Sequence, residues 1–167
     1  MNRPSEIGIV ESLVFQFETT LGEVGETIAA IPDDEWKKGE RGDLVPVRQV
    51  CHIIAGCDMY ASQGLDKPFA WEDRLGAPVG LLHHPLTPDE LPDKQAVVDY
   101  LRETRGLVKT WLKGLTEGQL RRPRRNKRER YNSHLGWVIY VLRHTVVHLG
   151  CLRAELKRRG IKYPEFR

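Results

Sequence analysis

His144 and His148 stand four residues apart in the segment Arg143-His-Thr-Val-Val-His-Leu-Gly150. On a helix, side chains at that spacing lie one above the other, about 5–6 Å apart at Cβ, so two imidazoles can meet one ion. Trp137, Val141, Cys151 and Glu155 fall on the same face, so the two histidines interrupt a stripe that should face a core. A buried imidazole without a partner costs free energy, and something must satisfy each ring. Carboxylates or backbone carbonyls can do this separately, or one metal ion can do it for both. The pattern lacks the glutamate of the HExxH zinc motif. A third histidine, His52, lies in another broadly apolar helical segment. Three imidazoles on one ion, with one position not filled by protein, is the ligand set of catalytic zinc sites. Nickel, iron and copper accept the same donors.

The elements that must position these rings read as helices. Val10, Val14, Phe17, Leu21, Val24, Ile28 and Ile31 recur at helical spacing, with Ser5 a plausible cap and Ile31-Pro32 a stop. A second helix opens at Pro46 and runs to about Leu65. Val47, Val50, Ile54, Cys57 and Ala61 form its stripe, and Ala55, Gly56 and Met59 widen it, as suits a central helix. His52 lies inside this broad surface, so periodicity does not say whether it points inward. The third helix is expected over Asp93–Leu115, with Val97, Leu101, Thr104, Val108 and Trp111 on its seam. The fourth begins at Asn132-Ser133 and ends at Gly160, with Lys157, Arg158 and Arg159 complementing its dipole.

Two long connectors separate these helices. Residues 66–92 are rich in proline and glycine and carry His83-His84. They also hold Thr87-Pro-Asp-Glu90, whose capping-box spacing suggests one short turn before Pro92. Residues 116–131 carry the basic run RRPRRNKRER. The expected fold is an all-α four-helix bundle in one domain, since no alternating strands joined by tight turns occur.

Composition narrows the class. At 167 residues, with 40% hydrophobic and 29% charged residues, the chain suits a globular domain. The N-terminal segment lacks an apolar run with a cleavage site, and charges break every apolar run before it reaches bilayer length, Leu135–Leu142 being the most apolar. A soluble cytoplasmic protein is therefore expected, with no membrane partner. Cys51, Cys57 and Cys151 are odd in number with no CxxC spacing, and read as reduced, mostly buried small hydrophobes. The net charge of +3 is uneven: residues 121–130 hold seven basic residues and one acid, leaving the rest mildly acidic.

The sequence resembles the DinB-like (YfiT-like) metal-binding four-helix bundles. The likeness rests on Pro46-Val-Arg-Gln-Val-Cys-His52-Ile-Ile-Ala-Gly-Cys-Asp58, on Gly136-Trp137, and on Arg143 through Gly160. It implies that His52, His144 and His148 are the metal ligands, one on the second helix and two on the fourth. It also implies a homodimer, and for some members a thiol S-transferase or isomerase activity with a low-molecular-weight thiol as cosubstrate. A zinc or nickel ion with one position free can favour thiol deprotonation and orient the sulfur toward an electrophile. The same ion can activate water for hydrolysis.

Other residues have two readings each. Tyr140, one turn before His144, suits hydrogen bonding or proton transfer at the site, or is a core tyrosine. Asp58 can orient a ligating histidine from behind, and Arg143 and Glu155 can orient substrate or serve packing and surface. His83 and His84 can close over an ion from their connector or remain solvated. Arg124, Arg125 and Arg128 can hold an anionic partner, or the basic run is a solvated loop. Nucleic acid is disfavoured, because no aromatic interleaving accompanies the charges. The leading reading is a metal-dependent enzyme for a small electrophilic substrate. A non-catalytic metal-binding or ligand-sensing bundle, and a purely structural metal, are the alternatives.

Overall fold

The computed structural model describes residues 8–39, 44–72, 74–124 and 130–164. Its elements are α1 (Ile9–Ala30), α2 (Pro46–Gly64), α3 (Lys94–Lys113), α4 (Glu117–Leu120) and α5 (His134–Arg158). The described residues contain no strand beyond a single bridge between Pro123 and Ser133.

Each long helix forms where its apolar stripe predicts. On α1, Val14, Phe17, Leu21, Val24 and Ile28 are buried, and the chain turns extended at Ile31 before Pro32. Its N-cap is Gly8, while the expected cap, Ser5, lies outside the described residues. Pro46 occupies the first turn of α2, where a missing N–H costs nothing. This helix buries Val47, Val50, Cys51, Ile53, Ile54, Cys57 and Ala61, on more than one face. The Ser133 hydroxyl caps α5 by accepting from the Gly136 N–H at 3.0 Å.

The strongly packed pairs are α1 with α3, α3 with α2, α2 with α5 and α5 with α1. They close a ring in which α1 lies diagonally across from α2, and α3 from α5. A simple up-and-down bundle would instead pack each helix on its successor. The diagonal steps run from α1 to α2 and, through the connector that holds α4, from α3 to α5, whereas the longer connector joins the neighbours α2 and α3.

Both connectors are more built than loops. In the first, Val79 and Leu91 are buried, and Thr87 and Glu90 form the reciprocal capping box around one short turn. In the second, α4 was not expected. Thr116 and Gln119 cap it reciprocally and Leu120 anchors it, a spacing present in the sequence but hidden beside the basic run.

One expectation is corrected by α5. The helix is long and apolar enough, by length and composition, to cross a bilayer. Within the bundle it buries Trp137, Val141, Leu149, Leu152 and Leu156, while Ile139, Val146 and Val147 remain exposed. Cys151 also departs from expectation: Cys51 and Cys57 are buried, but Cys151 is exposed because it falls on the outer side of α5.

Candidate metal centre

The three histidines meet between α2 and α5. Among the described residues they form the one group of three or more potential metal ligands, their donor atoms all within 4.8 Å of one another. Ring centroids are 5.1 Å apart for His52–His144, 4.3 Å for His52–His148 and 4.5 Å for His144–His148. All three are partly buried.

Local packing explains the convergence. A Cβ at Gly56, one turn after His52, would lie 3.1 Å from His144 Cε1, so glycine there lets the ring sit against the α2 backbone. One residue on from each, Cys57 Sγ and Thr145 Oγ1 are 3.1 Å apart, a buried contact that sets the register of the two helices. His52 Nδ1 donates to the Gly80 carbonyl at 2.8 Å. A carbonyl only accepts, so the proton is on Nδ1 and the lone pair on Nε2. Gly80 approaches closely because it has no side chain: a Cβ would meet Trp71, Ala55 and the Cys51 carbonyl at 3.0–3.2 Å. Arg48, one turn before His52, secures the same loop by donating to the carbonyls of Leu81 (2.5 Å) and His84 (2.7 Å).

The residues fit a metal ion. His144 Nδ1 is buried with no hydrogen-bond partner. Burial, followed by the neighbouring histidines, pushes His144 down to about 4. Burial and His52 push His148 down to about 4, and burial also lowers His52, against the opposing effect of its Gly80 bond. Neutral imidazole is the form that ligates. Burial pushes the Cys57 thiol up to about 11 and Cys51 higher still, so neither supplies a thiolate.

The remaining residues named from sequence fall at graded distances. Tyr140 is buried with its ring 6.2 Å from His144, and its hydroxyl accepts from Arg130. Arg143 is exposed, its guanidinium 5.6 Å from the Tyr140 ring. His83 and His84 are exposed, and His83 is near enough to act electrostatically on His52. Asp58 does not orient a histidine: its buried carboxylate accepts from Ser62 at 2.9 Å and Tyr100 at 3.0 Å and pairs with Arg74 at 3.4 Å. It lies toward α3, and the Gly80 carbonyl has the role expected of it. Glu155 accepts from Arg158 and Arg159 near the C-terminal end of α5, two turns beyond His148. Arg124 lies over Trp137, its guanidinium 3.6 Å from the ring centroid, whereas Arg125 and Arg128 lie outside the described residues.

Gly56, Gly80 and Arg48 were missed from sequence. A glycine inside a helix, one turn from a suspected ligand, was a usable signal for Gly56. No sequence signal marks the backbone carbonyl of Gly80.

No curated protein matches the sequence. A solved structure described as the conserved protein of locus from Enterococcus faecalis shares the fold, with a TM-score of 0.69 over 90% of this chain and 96% of that one. At 16% identity, that likeness speaks to architecture alone. The sequence model of the DinB superfamily matches residues 16–152, which span all of the described metal-site residues. The chain belongs to the DinB superfamily.

Proposed function

We propose that the chain is a metal-dependent enzyme that joins a low-molecular-weight thiol to a small electrophilic substrate at the three-histidine site. One observation carries this reading: three imidazoles converge from two helices, and no fourth side-chain ligand joins them among the described residues. Structural zinc sites are closed by four protein ligands, whereas catalytic ones leave a position for water or substrate. A divalent zinc or nickel ion held there supplies a positive charge that favours thiolate over thiol and polarises an electrophile.

The chain's own residues prepare that site. His52, His144 and His148 are held neutral by burial and would hold the ion. Gly80 and Arg48 keep His52 in one tautomer and one orientation. The protonated, buried Cys51 and Cys57 do not compete as nucleophiles and Cys151 lies on the outer side of α5, so the reacting thiol comes from outside. Tyr140, bonded to Arg130 beside His144, offers a hydroxyl that can hold a substrate heteroatom or its proton. The thiol itself is supported by the family resemblance, not by a contact.

The test is metal content and turnover measured together. Protein purified without chelator and offered zinc or nickel should retain one ion per chain, and His52→Ala, His144→Ala and His148→Ala should lose it. Glutathione or cysteine with monobromobimane should turn over only in metal-loaded protein. Chelation should leave the melting temperature nearly unchanged, since a structural ion would lower it strongly. Failure to retain metal sinks the reading. Retained metal with no thiol-dependent turnover sinks the transferase assignment.

A further inference from the structure

Where α2 and α3 finish and α5 begins, a cavity of about 170 Å³ opens between their ends. Three buried nitrogens on its lining residues have no hydrogen-bond partner: Trp111 Nε1, Trp137 Nε1 and His134 Nδ1. Both indoles are only 1% exposed. An indole nitrogen can only donate, so burying two of them beside one cavity without an acceptor is costly unless a ligand supplies one. The arrangement is built. A Cβ at Gly64 would lie 2.1 Å from Trp111 Nε1, so that indole edge occupies the space a side chain would take. The Trp111 and Trp137 rings lie 4.9 Å apart.

Charge and shape select the ligand. Among the described lining residues, Arg122 and Arg124 face the cavity against a single acid, Asp66 on its exposed rim. Burial, reinforced by those two arginines, lowers the pKa of His134 and keeps it neutral. The wall therefore offers donors to an anion, beside Leu115 and the Trp137 face that Arg124 covers. A planar aromatic group can take the place of the Arg124 guanidinium on that indole face, which a bare oxyanion would leave unused. The geometry points to a binding site for a small aromatic carboxylate, distinct from the three-histidine centre. The two places are about two helical turns apart on α5, from His144 to Trp137, and about three on α2, from His52 to Gly64, roughly 10 Å and 18 Å at 1.5 Å per residue. Arg124, half-buried over the Trp137 face, can pivot from the indole to the carboxylate without disturbing the core and so open the way to the buried donors.

Calorimetric titration of the full chain with benzoate, benzamide and inorganic phosphate tests this, alongside the indole N–H resonances in nitrogen-15 spectra. Benzoate should bind saturably, with equal affinity in metal-loaded and chelator-treated protein. It should move the indole signals of Trp111 and Trp137 and leave those of Trp36 and Trp71 in place. Arg122→Ala and Arg124→Ala, at exposed or half-exposed positions that leave the core intact, should each weaken binding roughly tenfold, about 1.4 kcal/mol. Benzamide should bind at least as poorly as benzoate does to those variants. Absence of saturable benzoate binding, dependence on metal, indifference to both arginines, or unmoved indole signals would each overturn the site. Phosphate competing as well as benzoate would overturn the aromatic assignment.

Discussion

His52 Nδ1 lies 2.8 Å from the carbonyl oxygen of Gly80, a residue 28 positions further along the chain. A ligand on a core helix is thus oriented by a loop that is itself pinned to that helix by Arg48. Gly80→Ala places a methyl group 3.0 Å from Trp71 and 3.1 Å from the Ala55 Cβ, and should lift the loop off His52. Loss of such a supporting bond typically costs 10–100-fold in metal affinity, roughly speaking. Arg48→Ala should act in the same direction. Competition against a chelator measures both, and unchanged affinity in both variants would show that the loop does not position His52.

Gly56 makes an opposite pair of demands. In an ordinary helix interior, Gly→Ala stabilises by about 1 kcal/mol. Here the new methyl group would sit 3.1 Å from His144 Cε1 and 3.3 Å from its Nδ1. Gly56→Ala should therefore gain little or no stability in urea and should weaken metal binding. A variant stabilised by about 1 kcal/mol with full metal affinity would show that His144 is not seated against α2.

Arg153 on α5 donates to Glu23 on α1 at 2.9 Å and to Thr27 at 3.3 Å, with side chains 9% and 6% exposed in the ion pair. Arg153→Ala strands a buried carboxylate, at a cost of about 3–5 kcal/mol. The double change Arg153→Met with Glu23→Leu should recover most of that loss. Urea midpoints of the unaltered chain and the two variants decide it; equal destabilisation by single and double changes would contradict the account.

Glu155 sets an acid limit. Hydrogen bonds from Arg158, and then Arg159, hold its carboxyl down to about 2, against an unfolded value of about 4.3. The unfolded chain therefore takes up this proton first as pH falls. The contribution of this group is fully present above about pH 4.3 and is lost as pH drops toward about 2. Glu155→Gln should flatten that part of the stability curve, read as urea midpoint against pH; an unaltered slope would place the acid sensitivity elsewhere.

Much of the fold was legible because helical periodicity is a local property. The stripe from Val14 to Ile28, Pro46 at the start of α2 and Ser133 at the start of α5 each act within a few residues of themselves. The pairing of His144 with His148 was legible for the same reason, since one turn of helix places them together. The short α4 shows the limit, because its capping box was overshadowed by the charges that follow it.

The sequence by itself determined four amphipathic helices, most of their ends, and two histidines on one face. Only the tertiary structure decided that α1 and α2 lie diagonally, that His52 turns toward α5, and that Gly80 rather than Asp58 holds it. The physical reason is that a broadly apolar helix has no preferred rotation until its partners surround it. A backbone carbonyl, moreover, is the same in every residue, so its role emerges only when the chain brings it to a particular nitrogen.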